Sequence, residues 1–143
     1  MSPRLLASHD LHGGPAPPEV LRVLVVDDDV DTVNTLTEIL RTEGYDVRGH
    51  FGAVEALKSI EEFDPDVVIS DIAMPLMSGW DIATRVRATL GMKLRPLLIA
   101  LTGRYTTNAD RTRSHINGFD YHLTKPCDPQ VLIDLVEKGK CPR

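Results

Sequence analysis

The chain has 143 residues, with 16 Lys and Arg against 21 Asp and Glu, for a net charge of -5. That length supports one domain with a real core but not two comfortable ones. The acidic balance, with no basic patch to neutralise phosphates, excludes nucleic acid as an expected direct partner, and no apolar run is long enough for membrane insertion.

Residues 1–19 hold His9, His12, a Gly-Gly pair and Pro15, Pro17 and Pro18, and read as a flexible N-terminal extension rather than a metal site. They lack the continuous apolar core of a signal peptide, so a cytoplasmic location is expected. Residues 20–139 form the expected domain, and 140–143 a short tail. Arg22 to Val26 is an apolar run that predicts a buried strand, and it ends in Asp27-Asp28-Asp29. Val30, Val33, Leu36, Thr37 and Leu40 recur at helical spacing, and Gly44 is a fitting stop. Tyr45 to Phe51 predicts a less apolar edge strand, and Ala53, Ala56, Leu57 and Ile60 a short helix. After the turn Asp64-Pro65-Asp66, Val67 to Ser70 predicts a third strand.

Trp80, Ile82, Ala83, Val86 and Leu90 predict a helix closed by Gly91. Pro96 to Leu101 predicts a fourth strand, Thr106 to Asn117 a weakly periodic helix, and Phe119 to Leu123 a fifth strand. A last helix, over residues 128–138, carries Val131, Leu132, Leu135 and Val136. Cys127 and Cys141 then lie at its opposite ends, roughly 20 Å apart at about 1.5 Å per residue, so both are expected as free thiols in a reducing compartment.

Five repeats of strand then helix imply a parallel sheet covered on both faces. Right-handed crossovers leave the flavodoxin-like doubly wound (βα)5 arrangement, strand order 2-1-3-4-5, as the natural solution. In such a sheet, ligands bind at the carboxyl ends of the strands. Asp27 and Asp28 end the first strand, Asp71 the third and Thr102 the fourth, and Lys125 lies just past the fifth. Three carboxylates, a hydroxyl and an ammonium therefore converge on one edge.

Clustered carboxylates repel unless a cation or protons offset them. A hard, oxygen-loving ion such as Mg²⁺ fits, since it takes one or two carboxylates and shares phosphate oxygens. A carboxylate also serves as a nucleophile towards phosphorus, and Lys125 and Thr102 would stabilise the charge of a phosphoryl group. Taken singly, an Asp-Asp after a strand is ordinarily a helix cap with a solvated neighbour, and a lone Thr or Lys there is ordinarily unremarkable. The signal lies in the set, one end of four different strands. Asp29 is read as a helix cap, Trp80 as packing in the third helix near the site, and His50 and His115 as surface residues.

Val25-Val26-Asp27-Asp28, Asp71 with Met74-Pro75 and Gly79, Ala100-Leu101-Thr102-Gly103 and Lys125-Pro126 together resemble the receiver domain of two-component response regulators, over nearly everything from 20 to 138. Some stretches look most like receivers attached to hybrid histidine kinases. The resemblance implies that Asp71 accepts a phosphoryl group from a kinase phosphohistidine or a phosphotransfer protein. It implies that Asp27, Asp28, Asp71 and the main-chain carbonyl of Ala73 hold Mg²⁺, that Thr102 moves towards the phosphoryl group, and that Lys125 pairs with it. The Lys125–Pro126 bond is expected cis. The family's switch aromatic falls at His122, with Tyr121 beside it, so either residue is a candidate switch and an exposed edge-strand histidine is the alternative. Residues two past the phosphoacceptor and two past the threonine, Ala73 and Arg104, tune dephosphorylation in the family. The face of the fourth helix, fifth strand and fifth helix is the expected partner or homodimer surface.

Two other functions compete. A Mg²⁺-dependent phosphohydrolase with an aspartate nucleophile would want a general acid two residues past it, where Ala73 stands. A receiver-like docking module that takes no phosphate would not need the complete set of Asp27, Asp28, Asp71, Thr102 and Lys125. Not being a classical enzyme, the domain is expected to act as a switch. With no output domain apparent, a single-domain regulator or a hybrid-kinase receiver is expected.

Overall fold

The computed structural model describes residues 20–89, 96–103, 112–113 and 116–140. The expected N-terminal extension, Leu90 and Gly91, Arg104, His115, Cys141 and most of the expected fourth helix lie outside the described residues.

Five parallel strands, β1 (Arg22–Val26), β2 (Asp46–His50), β3 (Val67–Asp71), β4 (Leu97–Thr102) and β5 (Tyr121–Thr124), form one sheet in the order β2-β1-β3-β4-β5. The three inner apolar runs, β1, β3 and β4, obey the period of a strand, in which successive side chains point to opposite faces. Val23, Val25, Val67, Ile69, Leu97, Ile99 and Leu101 fill one core layer. Leu24, Val26, Val68, Leu98 and Ala100 fill the other. Both layers are buried, and this explains the continuous hydrophobic runs: a strand covered on both faces has no solvent side to alternate with.

Helix α1 (Val30–Thr42) and the C-terminal helix (Pro129–Glu137) cover the first layer with Leu36, Leu40, Leu132 and Val136. Helices α2 (Ala53–Phe63) and α3 (Gly79–Thr89) cover the second with Ala56, Ile60, Phe63, Ile82, Ala83 and Val86. A short 3-10 turn, Lys138–Lys140, extends the C-terminal helix. α1 begins where Asp29 caps it, its carboxylate accepting from the Asp31 amide, as the sequence leads one to expect. It stops at Gly44, whose φ of 94° suits a residue without a Cβ.

Three expectations need correction. β5 starts at Tyr121, not Phe119; Phe119 is buried in the second core layer, but the Asp120 amide first donates to the Leu98 carbonyl before the ladder begins at Ile99 and Tyr121. Val30 and Val131, counted among apolar stripes, are 50% and 45% exposed because each sits in the first turn of its helix, ahead of the sheet it would pack on. His50, read as a surface residue, is partly buried at the end of β2, and its Nε2 is sealed from solvent with no hydrogen-bond partner among the described residues. Burial, aided by the charge of Arg48, holds its pKa below the usual histidine value. Among the described residues no helix is long and apolar enough to cross a membrane.

Candidate functional site

The register of the sheet decides which side chains meet. β1 and β3 are neighbours, with Val26 opposite Ser70, so the residues that follow them, Asp27 and Asp71, emerge side by side. Asp71 pairs with Leu101, and Thr102 with Thr124, which brings the ends of β4 and β5 to the same rim. Carboxylate oxygens of Asp27, Asp28 and Asp71 lie within 4.8 Å of one another. Asp27 and Asp71 are buried, while Asp28 faces solvent.

Lys125 reaches back over the rim. Its Nζ stands 2.6 Å from Asp27 Oδ2 and 3.4 Å from Asp71 Oδ1. Among the described residues one ammonium thus faces two buried carboxylates, too little charge to neutralise both. Burial, and then the charge of Asp27, lift the Asp71 carboxyl to a pKa of about 6, against the opposing pull of Lys125. Burial works against the Lys125 charge too, but its hydrogen bond to Asp27 and the charges of both aspartates outweigh it and hold the ammonium above the ordinary lysine value.

The donor set fits a hard divalent cation. Asp27 Oδ1 accepts from the Asp29 amide at 3.0 Å, while Oδ2 is buried and meets Lys125 Nζ at 2.6 Å, which leaves that oxygen a further lone pair. Its lone pairs, those of exposed Asp28 and those of Asp71 are all-oxygen ligands of the kind such an ion takes. The acidic cluster is therefore able to hold a metal.

Beside the carboxylates lies a chamber of about 280 Å³, lined by Asp71, Ala73, Ser78, Trp80, Thr102 and Gly103, among others. Thr102 is buried, and its hydroxyl donates to the Leu123 carbonyl at 3.3 Å rather than into the chamber. The first turn of α3 closes the floor. A Cβ on Gly79 would lie 2.2 Å from the Asp71 carbonyl oxygen, so only glycine lets the helix start against that backbone. The Gly79 amide donates to the Ile72 carbonyl at 2.9 Å.

Of the remaining candidates, His122 sits opposite Ala100 on β5, partly buried, its ring centroid 6.5 Å from that of Phe119 in the second core layer. Tyr121 packs on the first core layer instead. The two neighbours therefore point to opposite faces, and His122 shares its face with Ala100 and Thr102. The Lys125–Pro126 peptide bond is cis. Cys127 is a half-buried free thiol. Asp29 caps α1 and takes no place in the cluster; its hydrogen bond from Thr32 holds its carboxyl below the usual range. Sequence reasoning missed the contact of Trp80 with Arg113, whose guanidinium lies 3.8 Å from the ring centroid. Nothing in a linear pattern pairs residues 33 apart when one sits in a weakly periodic segment.

Residues 23–137 match the family model of the response regulator receiver domain. A 14.6 kDa protein of Leptolyngbya boryana is 42% identical over 116 residues, 81% of this chain and 87% of that one. The DNA-binding response regulator MtrA of Mycobacterium tuberculosis is 34% identical over 115 residues, 80% of this chain. The chain spans about half the length of that relative, 48%. Among solved structures, chemotaxis protein CheY4 of Vibrio cholerae superposes with a TM-score of 0.78 at 26% identity, over 85% of this chain and 99% of that one. A CheY-like receiver domain protein from Methanospirillum hungatei gives 0.74 at 30% identity, over 84% and 93%. With its CheY-like sheet and a carboxylate cluster at the sheet's carboxyl edge, the chain belongs to the response regulator receiver domains, the phosphoryl-accepting signalling domains of two-component systems.

Proposed function

We propose that Asp71 is the phosphoacceptor of this receiver, residues 20–139, and that Asp27, Asp28, Asp71 and the Ala73 carbonyl hold Mg²⁺. The observation that carries the reading is the under-neutralised cluster: among the described residues, three carboxylates within 4.8 Å and one lysine at 2.6 and 3.4 Å from two of them. A site built only for stability would not bury two acids against one base.

An Asp71 oxygen attacks the phosphorus of a donor phosphohistidine. The oxygen–phosphorus bond forms as the nitrogen–phosphorus bond breaks, and the neutral imidazole leaves on taking a proton from solvent. Mg²⁺ supplies positive charge to the phosphoryl oxygens and to the carboxylates. Lys125, already 3.4 Å from Asp71, pairs with a phosphoryl oxygen. Thr102 exchanges its long hydrogen bond to Leu123 for one to the phosphoryl group. Among the two candidate switches His122 is favoured, because it shares a sheet face with Thr102 and Tyr121 does not. Movement there would re-form the face around β5 and the C-terminal helix, where a protein partner or a second copy docks. The kinase or phosphotransfer donor and the cytoplasmic location belong to this same proposal.

The test is intact mass after incubation with acetyl phosphate, with and without Mg²⁺, beside Asp71→Asn. One phosphoryl adduct that requires Mg²⁺ and is lost in the variant is the expected result. No adduct would leave a docking module, and sustained phosphate release from varied phosphoesters would leave a hydrolase.

A further inference from the structure

One face of α3 is a ladder onto the chain that leads into β5. Trp80, Thr84 and Arg87 follow one another at i, i+4 and i+7, so they line a single stripe of the helix. Arg87 grips hardest: its guanidinium donates to the Gly118 carbonyl at 3.1 Å, the Pro96 carbonyl at 3.0 Å and Asp120 Oδ2 at 2.9 Å. Thr84 donates to Asn117 Oδ1 at 3.1 Å, and the Asn117 side-chain amide in turn donates to the Arg113 carbonyl at 2.9 Å. Trp80 ends the ladder under the exposed Arg113 guanidinium, 3.8 Å away.

The ladder's strength is graded, and its weak end is at the site. Arg87 makes several bonds to partly buried groups, whereas a stack on a solvent-exposed arginine is among the weaker contacts a protein makes. Trp80 is also a wall of the chamber that Asp71 and Thr102 share. Its neighbour Gly79 lies so close to the Asp71 carbonyl oxygen that no Cβ fits between them. Close-packed contacts of this kind do not absorb a shift; they transmit it. A change at the Asp71 backbone, or in what fills the chamber, therefore reaches Trp80 before any other rung.

We propose that the Trp80–Arg113 stack is a latch, closed while the carboxylate pocket holds no phosphoryl group and released when the pocket fills, so that Arg113 is a positioning residue setting how readily the site accepts its ligand. The inference rests on the proposed role of Asp71. Coupling between two sites is reciprocal. If filling the pocket breaks the stack, then removing the stack must favour filling. The stack lies outside the carboxylates, Thr102 and Lys125, so Arg113 can be changed without touching the groups that meet phosphate.

Beryllium fluoride with Mg²⁺ is the probe, titrated by ¹⁹F NMR into the unaltered chain, Arg113→Ala and Arg113→Lys. Arg113→Ala is expected to bind about two- to fivefold more tightly, the factor an exposed cation–π contact supplies, and Arg113→Lys to return close to the unaltered affinity. The chain has one tryptophan, so its emission reads the latch directly: saturation should change it in the unaltered protein and change it far less in Arg113→Ala. Unchanged or weaker binding by Arg113→Ala, with a clear bound signal in the unaltered protein, overturns the latch alone. No bound signal in the unaltered protein removes the proposed site and the latch together.

Discussion

The two ends of the sheet treat charge in opposite ways. At the amino end the buried Arg22 and Asp66 and the partly buried Asp120 all have partners. The Arg22 guanidinium donates to the Phe63 carbonyl at 2.7 Å, and its backbone amide donates to Asp66 Oδ2 at 2.9 Å. Asp120 Oδ2 accepts from the Leu98 amide at 2.8 Å and from Arg87 at 2.9 Å. At the carboxyl end Asp27 and Asp71 are buried, yet among the described residues they share one lysine, and Asp71 is pushed up to about 6. Arg22 and Asp66 are buried to the same degree as Asp27 and Asp71; the neutralisation differs. A buried acid with its hydrogen bonds made is structural, and a buried acid left short of positive charge is waiting for something to bind.

The sharpest way to break this contrast is at the amino end. Asp120→Ala removes the acceptor of a buried amide in β4 and the carboxylate that faces Arg87. The expected loss is about 3 kcal/mol, one hydrogen bond to a charged group together with an orphaned backbone donor. Urea denaturation with an unchanged m-value checks it. A loss below roughly 1 kcal/mol would mean that the amino-end pairs are no better satisfied than the carboxyl-end ones.

The reverse change at the other end should have the reverse sign. Asp71 binds its proton more tightly folded than unfolded, because its folded pKa is about 6 against an ordinary 3.8. The folded state is therefore not penalised below about pH 4, and it loses stability as pH rises through about 6. Asp71→Asn removes that penalty. In EDTA at pH 8 the variant should be more stable by about 2 kcal/mol, part of the roughly 3 kcal/mol that the shift represents, since the new amide is itself buried. At pH 4 the two proteins should converge. Urea midpoints across pH 4 to 8 measure this, and a destabilised Asp71→Asn at pH 8 would show that Lys125 fully neutralises the cluster after all.

The carboxyl end was readable from sequence and the amino end was not, for a physical reason. Residues at strand ends of a parallel sheet inherit their place from the topology, so Asp27, Asp71, Thr102 and Lys125 could be brought to one rim from hydrophobic runs alone. Arg22 and Asp66, or Arg87 and Asp120, are 44 and 33 positions apart, and nothing in their local pattern marks them as partners. The only available trace is positional: Asp66 and Asp120 each stand directly before a strand, where a carboxylate can meet the unpaired amide of the next strand over. His50 failed for a related reason, since how far the end of an edge strand is buried depends on residues distant in sequence. The α3 ladder was out of reach because its far side falls in the segment whose periodicity is weakest.

The smallest effect tests whether the carboxyl end also stores backbone strain. Leu76 follows Met74-Pro75 in the loop after β3, with φ of 70° and its side chain fully exposed. An L-residue with a Cβ in that region costs on the order of 1–2 kcal/mol. Replacing it by glycine removes that cost and sacrifices no burial. It also loosens the unfolded chain, which gives back roughly 0.5–1 kcal/mol. Leu76→Gly should therefore stabilise the metal-free protein by about 0.5 kcal/mol, the small difference between those opposing effects. The expected sign is decided by the exposure: a buried leucine would lose more in packing than it gained in backbone relief. Paired urea curves on the two proteins resolve a shift of this size if the m-values agree. A destabilised variant would place Leu76 in contact with its surroundings, and the loop beside the acceptor would then be held by packing rather than under strain.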